Sequence, residues 1–496
     1  MTYRKMLVAV TAATLSLQVA LPVAVPAQGT AQRDVGVPVD EALVARIVEE
    51  GTKRSHVGQD LEYLLDVIGP RLSGSPEMRR ANDWTQQKFK EYGMDRAELE
   101  RWSFGLGWTR GPMSVRMTAP QNRVLFGVSY AWAPGTNGPT TGPVVYLDAR
   151  TTAEFNQRFA GKLKGAWVMV GPSTPMLNSD APGVAADSIR VDSMRLAQAL
   201  HNDDEAHYRQ VRGALLIREQ IAGAILGSEK EFNLLTMSGS PGAVVPYPMF
   251  IVGNDDYGQM ERLAKRGEPV KLEVDIKNTF TAAPIDQYNT VAEIRGSEKP
   301  DEVVILGAHL DSWDLSTGGT DNGTGSIAVL EAARILKASG VKPKRTIRFV
   351  LFSGEEQGLL GSQAYTEDHE KELPKVQAIL VLDNGTGKIT GMATQGRDDL
   401  RDMWKSMLQP VAQLGQLVLR SGRKTGTDHL AFEPYGVPSF NYDQLTRGYN
   451  HTHHSQVDDF DHTVPTDVAQ AATIMAVNAW QLADINELLP RGPKRR

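Results

Sequence analysis

Beyond residue 288, His and carboxylate side chains recur at the ends of apolar runs. The run Val303-Val304-Ile305-Leu306 leads into Gly307-Ala308-His309-Leu310-Asp311, and Asp321-Asn322-Gly323-Thr324-Gly325 stands just before a helical pattern. The run 346–352 ends in Ser353-Gly354-Glu355-Glu356, the run 377–382 ends in Asp383, and Asn450-His451-Thr452-His453-His454-Ser455 precedes the last helical stretch. Each is ordinary alone. An isolated His is more often a surface or hydrogen-bonded residue, a Glu-Glu pair is usually a solvated face, and an Asp ahead of a helix is usually its N-cap. Five such sites at the ends of successive elements are harder to assign to coincidence. The chain has no Cys, which excludes disulfides, Fe–S clusters and thiolate zinc fingers, so any metal must be held by His and carboxylates. Two His with three or four carboxylates form a donor set that suits two neighbouring divalent ions, with N and O ligands at about 2.0–2.2 Å for zinc. Carboxylates clustered without cations would repel one another.

For these residues to meet, their runs must be strands of one sheet with the loops gathered beyond its carboxyl edge. The alternation of strand, loop and helix from 288 onward predicts an α/β domain, a mainly parallel mixed sheet sandwiched by helices. Its parts are strands at 303–306, 346–352 and 377–382, an amphipathic helix over 326–336 and a long terminal helix over 466–488. Upstream, helices are expected at 40–54 and 76–92. The second has Met78, Ala81, Thr85, Phe89 and Tyr92 on one stripe, Ser75-Pro76-Glu77 as its capping start and Gly93 as its stop. From about 120 to 285 the texture changes to short β-branched runs between Gly/Pro turns, at 142–147, 166–170 and 249–252, which predicts a β-rich insert. Within it, 173–210 is rich in Asp, Ser and Gln and is expected to be a solvated excursion in preference to a lid.

Length and composition agree with this plan. At 496 residues the chain exceeds one ordinary core, so two folded units or one unit with an insertion are expected. The formal charge of −6 argues against nucleic-acid partners, which require a basic footprint. Residues 1–27 carry Arg4 and Lys5 ahead of an apolar stretch and end in Val25-Pro26-Ala27, the pattern of a secretory signal peptide cleaved near Ala27. Thr11, Ser16, Gln18 and Pro22 interrupt the run that a spanning helix would need. The expectation is a secreted or periplasmic protein with no stable membrane insertion after cleavage. The predicted division is signal peptide 1–27, first part of the main domain 28–119, insert 120–285, main domain 286–491 and a disordered basic tail 492–496.

Several of these segments resemble the M28 zinc exopeptidases, most of all the carboxypeptidase Q (plasma glutamate carboxypeptidase) branch and its bacterial relatives. The matching stretches are 289–296, Gly307 to Asp314, Lys344 to Gly358, Gly426-Thr427-Asp428, His453-His454-Ser455 and Glu487 to Arg491. The resemblance implies two zinc ions per chain. His309 and Asp383 would hold one, Glu356 and a C-terminal His the other, and Asp321 would bridge them. Glu355 would act as general base and acid, and Asp311 would orient His309. The C-terminal ligand is expected to be His454, since 454–458 fits the family pattern His-Ser-x-x-Asp; His453 comes second, and His451 fits less well. Thr320 stands where the family commonly has a further Asp, which removes no ligand. The insert would be a protease-associated domain, the substrates short peptides or dipeptides, and a homodimer is compatible with the family. Rival expectations are an aminopeptidase of the same family, a catalytically silent M28-fold binding protein, and a single-zinc glutaminyl cyclase. The complete set of His309, Asp321, Glu355, Glu356, Asp383 and His454 weighs against the silent protein. The complete His309-Leu310-Asp311 element and the insert weigh against the cyclase. Trp102, Trp108 and Tyr435 are expected to pack structurally and not to line a subsite.

Overall fold

The structure of this chain is a computed structural model that describes residues 37–38, 40–174 and 203–494. The expected signal peptide and residues 175–202 of the acidic excursion lie outside them. No helix among the described residues is long and apolar enough to cross a membrane.

The central strands are too uniformly apolar to leave one face in water. Arg345–Phe352, Lys299–His309, Val376–Val381 and Ser439–Gln444 lie side by side and parallel, with every residue of Arg345–Phe352 and Val376–Val381 buried. Continuous burial of this kind requires helices on both faces. Thr279–Ile294 and then Arg96–Thr109 extend the sheet antiparallel on one side, and Ile389–Ala393 and Val418–Arg420 complete it on the other. The result is a mixed α/β sheet with a parallel centre.

Helices Glu41–Lys53, Thr324–Ala338 and Pro465–Asp484 pack together against this sheet. Local signals set the N-termini of two helices. Asp40 accepts from the Leu43 N–H at 2.9 Å, and Ser75 accepts from the Met78 N–H at 3.1 Å at the start of Pro76–Glu91. The helix predicted as amphipathic over 326–336 is instead buried on all sides from Thr324 to Leu336, because it lies between the sheet and the two other helices. Leu360–Asp368 and the turn Asp428–Tyr435 cover the face presented by Val303, Ile305, Val350 and Phe352, with Tyr365 and Phe432 at the centre of that layer.

A second sheet of eight strands is built between Met113 and Ile276. Four of its strands, Thr140–Leu147, Trp167–Val170, Gly223–Gly227 and Met249–Val252, run parallel, and parallel neighbours need crossovers. Helices Thr152–Arg158 and Asp203–Arg218 lie in these connections. The insert is thus α/β, where its texture suggested mainly β. Residues 203–210, expected to be part of a solvated excursion, open the helix Asp203–Arg218. Relative to the expected limits 120–285, strand Met113–Ala119 falls within the second sheet and Thr279–Ile294 within the first. The chain enters and leaves the insert along an antiparallel ribbon, from the pair Arg96 and Glu293 to the pair Thr109 and Thr279. The basic tail begins tethered: the Gly492 N–H donates to Gly436 O at 2.9 Å and Arg491 Nη1 to Val376 O at 2.5 Å.

Candidate active site

The parallel strands deliver their polar residues to one edge. His309 ends the strand Lys299–His309, Asp321 lies in the turn before helix Thr324–Ala338, and Glu355 and Glu356 follow Arg345–Phe352. Asp383 follows Val376–Val381, and His453 and His454 follow the short helix Tyr449–Thr452. Asp321 lies between two groups. Its Oδ1 is 3.4 Å from His309 Nε2, which is also 3.5 Å from Asp383 Oδ1. Its Oδ2 is 3.5 Å from His454 Nε2 and 3.7 Å from His453 Nε2. Glu356 Oε2 approaches His454 Nε2 to 2.8 Å, and Glu355 Oε2 stands 4.0 Å from His309 Nε2. The rings of His453 and His454 stack at 3.8 Å, while His451 is exposed and belongs to neither group.

This arrangement fits divalent ions. His309 Nε2, Asp321 Oδ2 and Glu356 Oε1 are buried and have no hydrogen-bond partner, so good donor atoms face the cleft unsatisfied. The donor set of imidazole nitrogen and carboxylate oxygen, without sulfur, is one that zinc accepts. The electrostatics agree. Burial, together with repulsion from Asp383, Asp428 and Glu356, raises the Glu355 carboxyl well above its usual value, although His309 opposes this. Burial and Asp321 do the same to Glu356. Asp321 is depressed despite burial, because His309, His453 and His454 surround it. Burial lowers His453 to about 4 and pulls His454 down too, which favours neutral imidazoles with a free lone pair.

The loops are fixed by residues that the sequence did not single out. Asn322 Oδ1 accepts from the Gly325 N–H at 3.0 Å, and its Nδ2 donates to Leu382 O at 2.9 Å, joining the Asp321 turn to the strand end at Asp383. A β-carbon at position 325 would come within 2.2 Å of Asn322 Oδ1 and 2.3 Å of Leu382 O, so this close approach needs glycine. Asp458, the last residue of the His-Ser-x-x-Asp pattern, accepts from the Thr320 N–H at 2.6 Å, Thr320 Oγ1 at 2.7 Å and the Asp321 N–H at 3.1 Å. It holds the backbone of Asp321 and is itself raised to about 7, first by burial and then by Asp321.

Asp311 acts more broadly than expected. Its main-chain oxygen is 3.0 Å from His309 Nδ1, closer than its carboxylate at 3.6 Å. The carboxylate accepts instead from the N–H groups of Glu355 and Glu356, each at 3.3 Å, and from Ser73 Oγ at 3.1 Å. Nearby, the wholly buried Arg71 gives its guanidinium to the carbonyls of Gly69, Leu310, Thr317 and Gly318, clamping the loop between Asp311 and Asp321. Its charge lies beneath the carboxylates. Burial lowers it to about 10, while Asp458, Asp311, Glu356 and Asp321 support the charged form. In the sequence, Gly69 to Ser75 looks like a turn and helix cap, and nothing local reveals partners so far along the chain.

The cleft above these residues has a volume of about 470 Å³, with Leu359, Asn384, Thr425, Gly426 and Tyr449 in its walls. Trp102 and Trp108 are buried in an aromatic cluster, and the partly buried Tyr435 packs against the cluster that contains Phe432, all outside the cleft.

A parallel-centred sheet with this cluster of His and carboxylate groups at its carboxyl edge has the architecture of a metal-dependent hydrolase. The sequence model of Peptidase family M28 matches residues 289–479. Carboxypeptidase Q of Rattus norvegicus is 30% identical over 436 residues, covering 87% of this chain and 86% of that protein. The crystal structure of a Peptidase M28 precursor from Shewanella amazonensis SB2B superposes with a TM-score of 0.74 at 26% identity, over 92% of this chain and 99% of that one. A zinc aminopeptidase from Bacillus subtilis shares the fold, with a TM-score of 0.62 at 20% identity over 88% of this chain and 98% of that one. The chain belongs to peptidase family M28 and is a metallo-exopeptidase.

Proposed function

We propose that this chain is an exported binuclear zinc exopeptidase that hydrolyses short peptides, with carboxypeptidase or dipeptidase specificity. One observation carries the metal count. The two groups of candidate ligands, His309 with Asp383 and His453 with His454, share Asp321, which turns one oxygen toward each, and Glu356 Oε2 lies 2.8 Å from His454 Nε2 beside the second. On this reading His309 and Asp383 would hold one ion and Glu356 and His454 the other, with Asp321 shared by the two groups. His454 is preferred to His453 because it is nearer to Asp321 and contacts Glu356. When bound, zinc supplies Lewis-acid polarisation of a carbonyl and brings the pKa of a coordinated water toward about 7. Glu355, beside His309 in the cleft wall, takes a proton during attack on the scissile carbonyl and returns it to the leaving amine. Asp311 holds Glu355 in place through the loop N–H groups and orients His309 through its own carbonyl.

The second sheet between Met113 and Ile276 is read as a protease-associated domain, on the family resemblance and its place as an insertion. Export rests on the signal-like residues 1–27. The carboxypeptidase preference rests on the likeness to carboxypeptidase Q over most of both chains. A panel of free, N-blocked and C-blocked dipeptides, with and without EDTA, tests these points together. The expected result is EDTA-sensitive release of amino acids that is lost on C-blocking, with close to two zinc ions per chain. Loss only on N-blocking would make the enzyme an aminopeptidase, and activity insensitive to EDTA would overturn the metal reading.

A further inference from the structure

A metal-binding histidine needs its second ring nitrogen held if the first is to point at the metal. For His309 the Asp311 carbonyl does this. The loop that carries His454 is held from the insert. Between the strands Gly223–Gly227 and Met249–Val252, residues 228–240 leave the second sheet and lie against the loop of His454. Lys230 Nζ donates to Asn450 O at 2.7 Å, and the Leu235 N–H donates to Gln456 Oε1 at 2.8 Å. Leu235 and Met237 are buried in one cluster with Trp132 and Trp313, and Trp313 stands edge-on to the His454 ring at 6.0 Å. The insert segment is itself braced, since Ser228 Oγ donates to Leu234 O at 2.5 Å and accepts from the Lys230 N–H at 3.2 Å.

His454 also has a φ of +57°, in the left-handed region that a residue with a β-carbon occupies at a cost unless its surroundings hold it there. Its own short helix, Tyr449–Thr452, ends before it. Within the loop the Ser455 N–H donates to Thr452 O and Ser455 Oγ to His451 O, and from outside it the Leu235 N–H meets Gln456, two residues beyond His454.

We propose that residues 230–237 of the insert, through the hydrogen bond from Leu235 to Gln456 and the packing of Leu235 and Met237 with Trp313 beside the His454 ring, position His454 as a ligand, so that one half of the binuclear site is complete only with the insert docked. His309 and Asp383 receive none of these contacts, and their half-site is independent of the insert segment. This rests on the binuclear zinc reading. Gln456 is a positioning residue: it touches the insert, and its effect reaches the metal only through the loop.

The test is a titration of metal-stripped full-length protein with zinc against a chelating dye. It compares wild type with Gln456→Ala, which removes the acceptor for the Leu235 N–H, and Gln456→Glu, which retains one. Loss of an outer partner of a metal ligand lowers affinity by about 10- to 100-fold. Gln456→Ala is expected to weaken one of two zinc affinities by about tenfold and leave the other within about twofold, with Gln456→Glu returning toward wild type. Melting of stripped Gln456→Ala should fall only by the small amount expected for one unpaired N–H at Leu235, and Gln456→Glu should match stripped wild type. Two unchanged affinities in Gln456→Ala would overturn the proposal, as would an equal fall in both accompanied by a lower melting temperature. A wild-type chain that takes up no zinc would overturn the metal reading itself and this inference with it.

Discussion

Ser73 and Asp311 stand 238 positions apart in the chain and are joined by a 3.1 Å hydrogen bond from Ser73 Oγ to Asp311 Oδ2. The same hydroxyl accepts from the Gly354 N–H at 2.9 Å, so one side chain ties the segment before helix Pro76–Glu91 to the Asp311 carboxylate and to the loop of Glu355. Ser73→Ala leaves a buried N–H unpaired and should destabilise the fold by about 1–3 kcal/mol. Because the loop of Glu355 loses an anchor, kcat should fall about tenfold, a barrier change of about 1.4 kcal/mol, with little change in KM. Thermal melting and steady-state kinetics check this, and an unchanged kcat would show that the tie has no part in catalysis.

Glu355→Gln preserves shape while removing the proton acceptor. Turnover should drop by about 10²- to 10⁴-fold, the usual worth of a general acid–base group, with zinc content as in wild type. His309→Ala should instead lower zinc content. Elemental analysis alongside peptide hydrolysis separates the two, and near wild-type hydrolysis by Glu355→Gln would remove it from the role of base.

Asp458 receives three hydrogen bonds from Thr320 and Asp321 at a buried position. Asp458→Ala strands those donors and should cost at least about 2–3 kcal/mol of stability, while Asp458→Asn, which keeps one acceptor, should cost less. Denaturant unfolding of the stripped proteins measures both. Equal stability of Asp458→Ala and wild type would mean that the Asp321 turn holds itself.

Glu261 in the insert provides a pH dependence remote from the metal ligands. Burial opposes its charge, but Lys265 Nζ at 2.7 Å and the Ser173 N–H at 2.8 Å outweigh burial and hold the carboxyl at about 2, against 4.5 for an unperturbed Glu. A folded value below the unfolded one means that the stabilisation is complete above pH 4.5 and is lost as pH falls toward 2. Glu261→Gln should therefore melt below wild type at neutral pH, with the gap narrowing under acid. A gap of constant size from neutral pH down to about pH 3 would show that the carboxylate charge is not what stabilises there.

Much of the site was written in local pattern. The apolar runs before His309, Glu355 and Asp383 needed no partner to be recognised as strands, since parallel strands buried on both faces are apolar at consecutive positions. Ser75 announced its helix because an N-cap acts on residues three positions away. Strand Arg96–Thr109 gave no such signal: it alternates only in part, and its place is decided by pairing with Thr279–Ile294. The helix at 324–338 was read over 326–336 and with the wrong surroundings, because burial on its outer side depends on Glu41–Lys53 and Pro465–Asp484 lying over it.

By itself the sequence determined which chemistry a metal site could use, for a chain without cysteine leaves His and carboxylates as the candidate donors and places them where strands end. Only the tertiary structure decided how those donors are held. Arg71, Ser73, Asp458 and Leu235 act on loops distant from them in the chain, through hydrogen bonds whose reach is about 3 Å in space and unrelated to separation in sequence. Ligand identity is a property of side-chain type, which sequence carries. Ligand orientation is a property of packing, which exists only once distant segments are brought together.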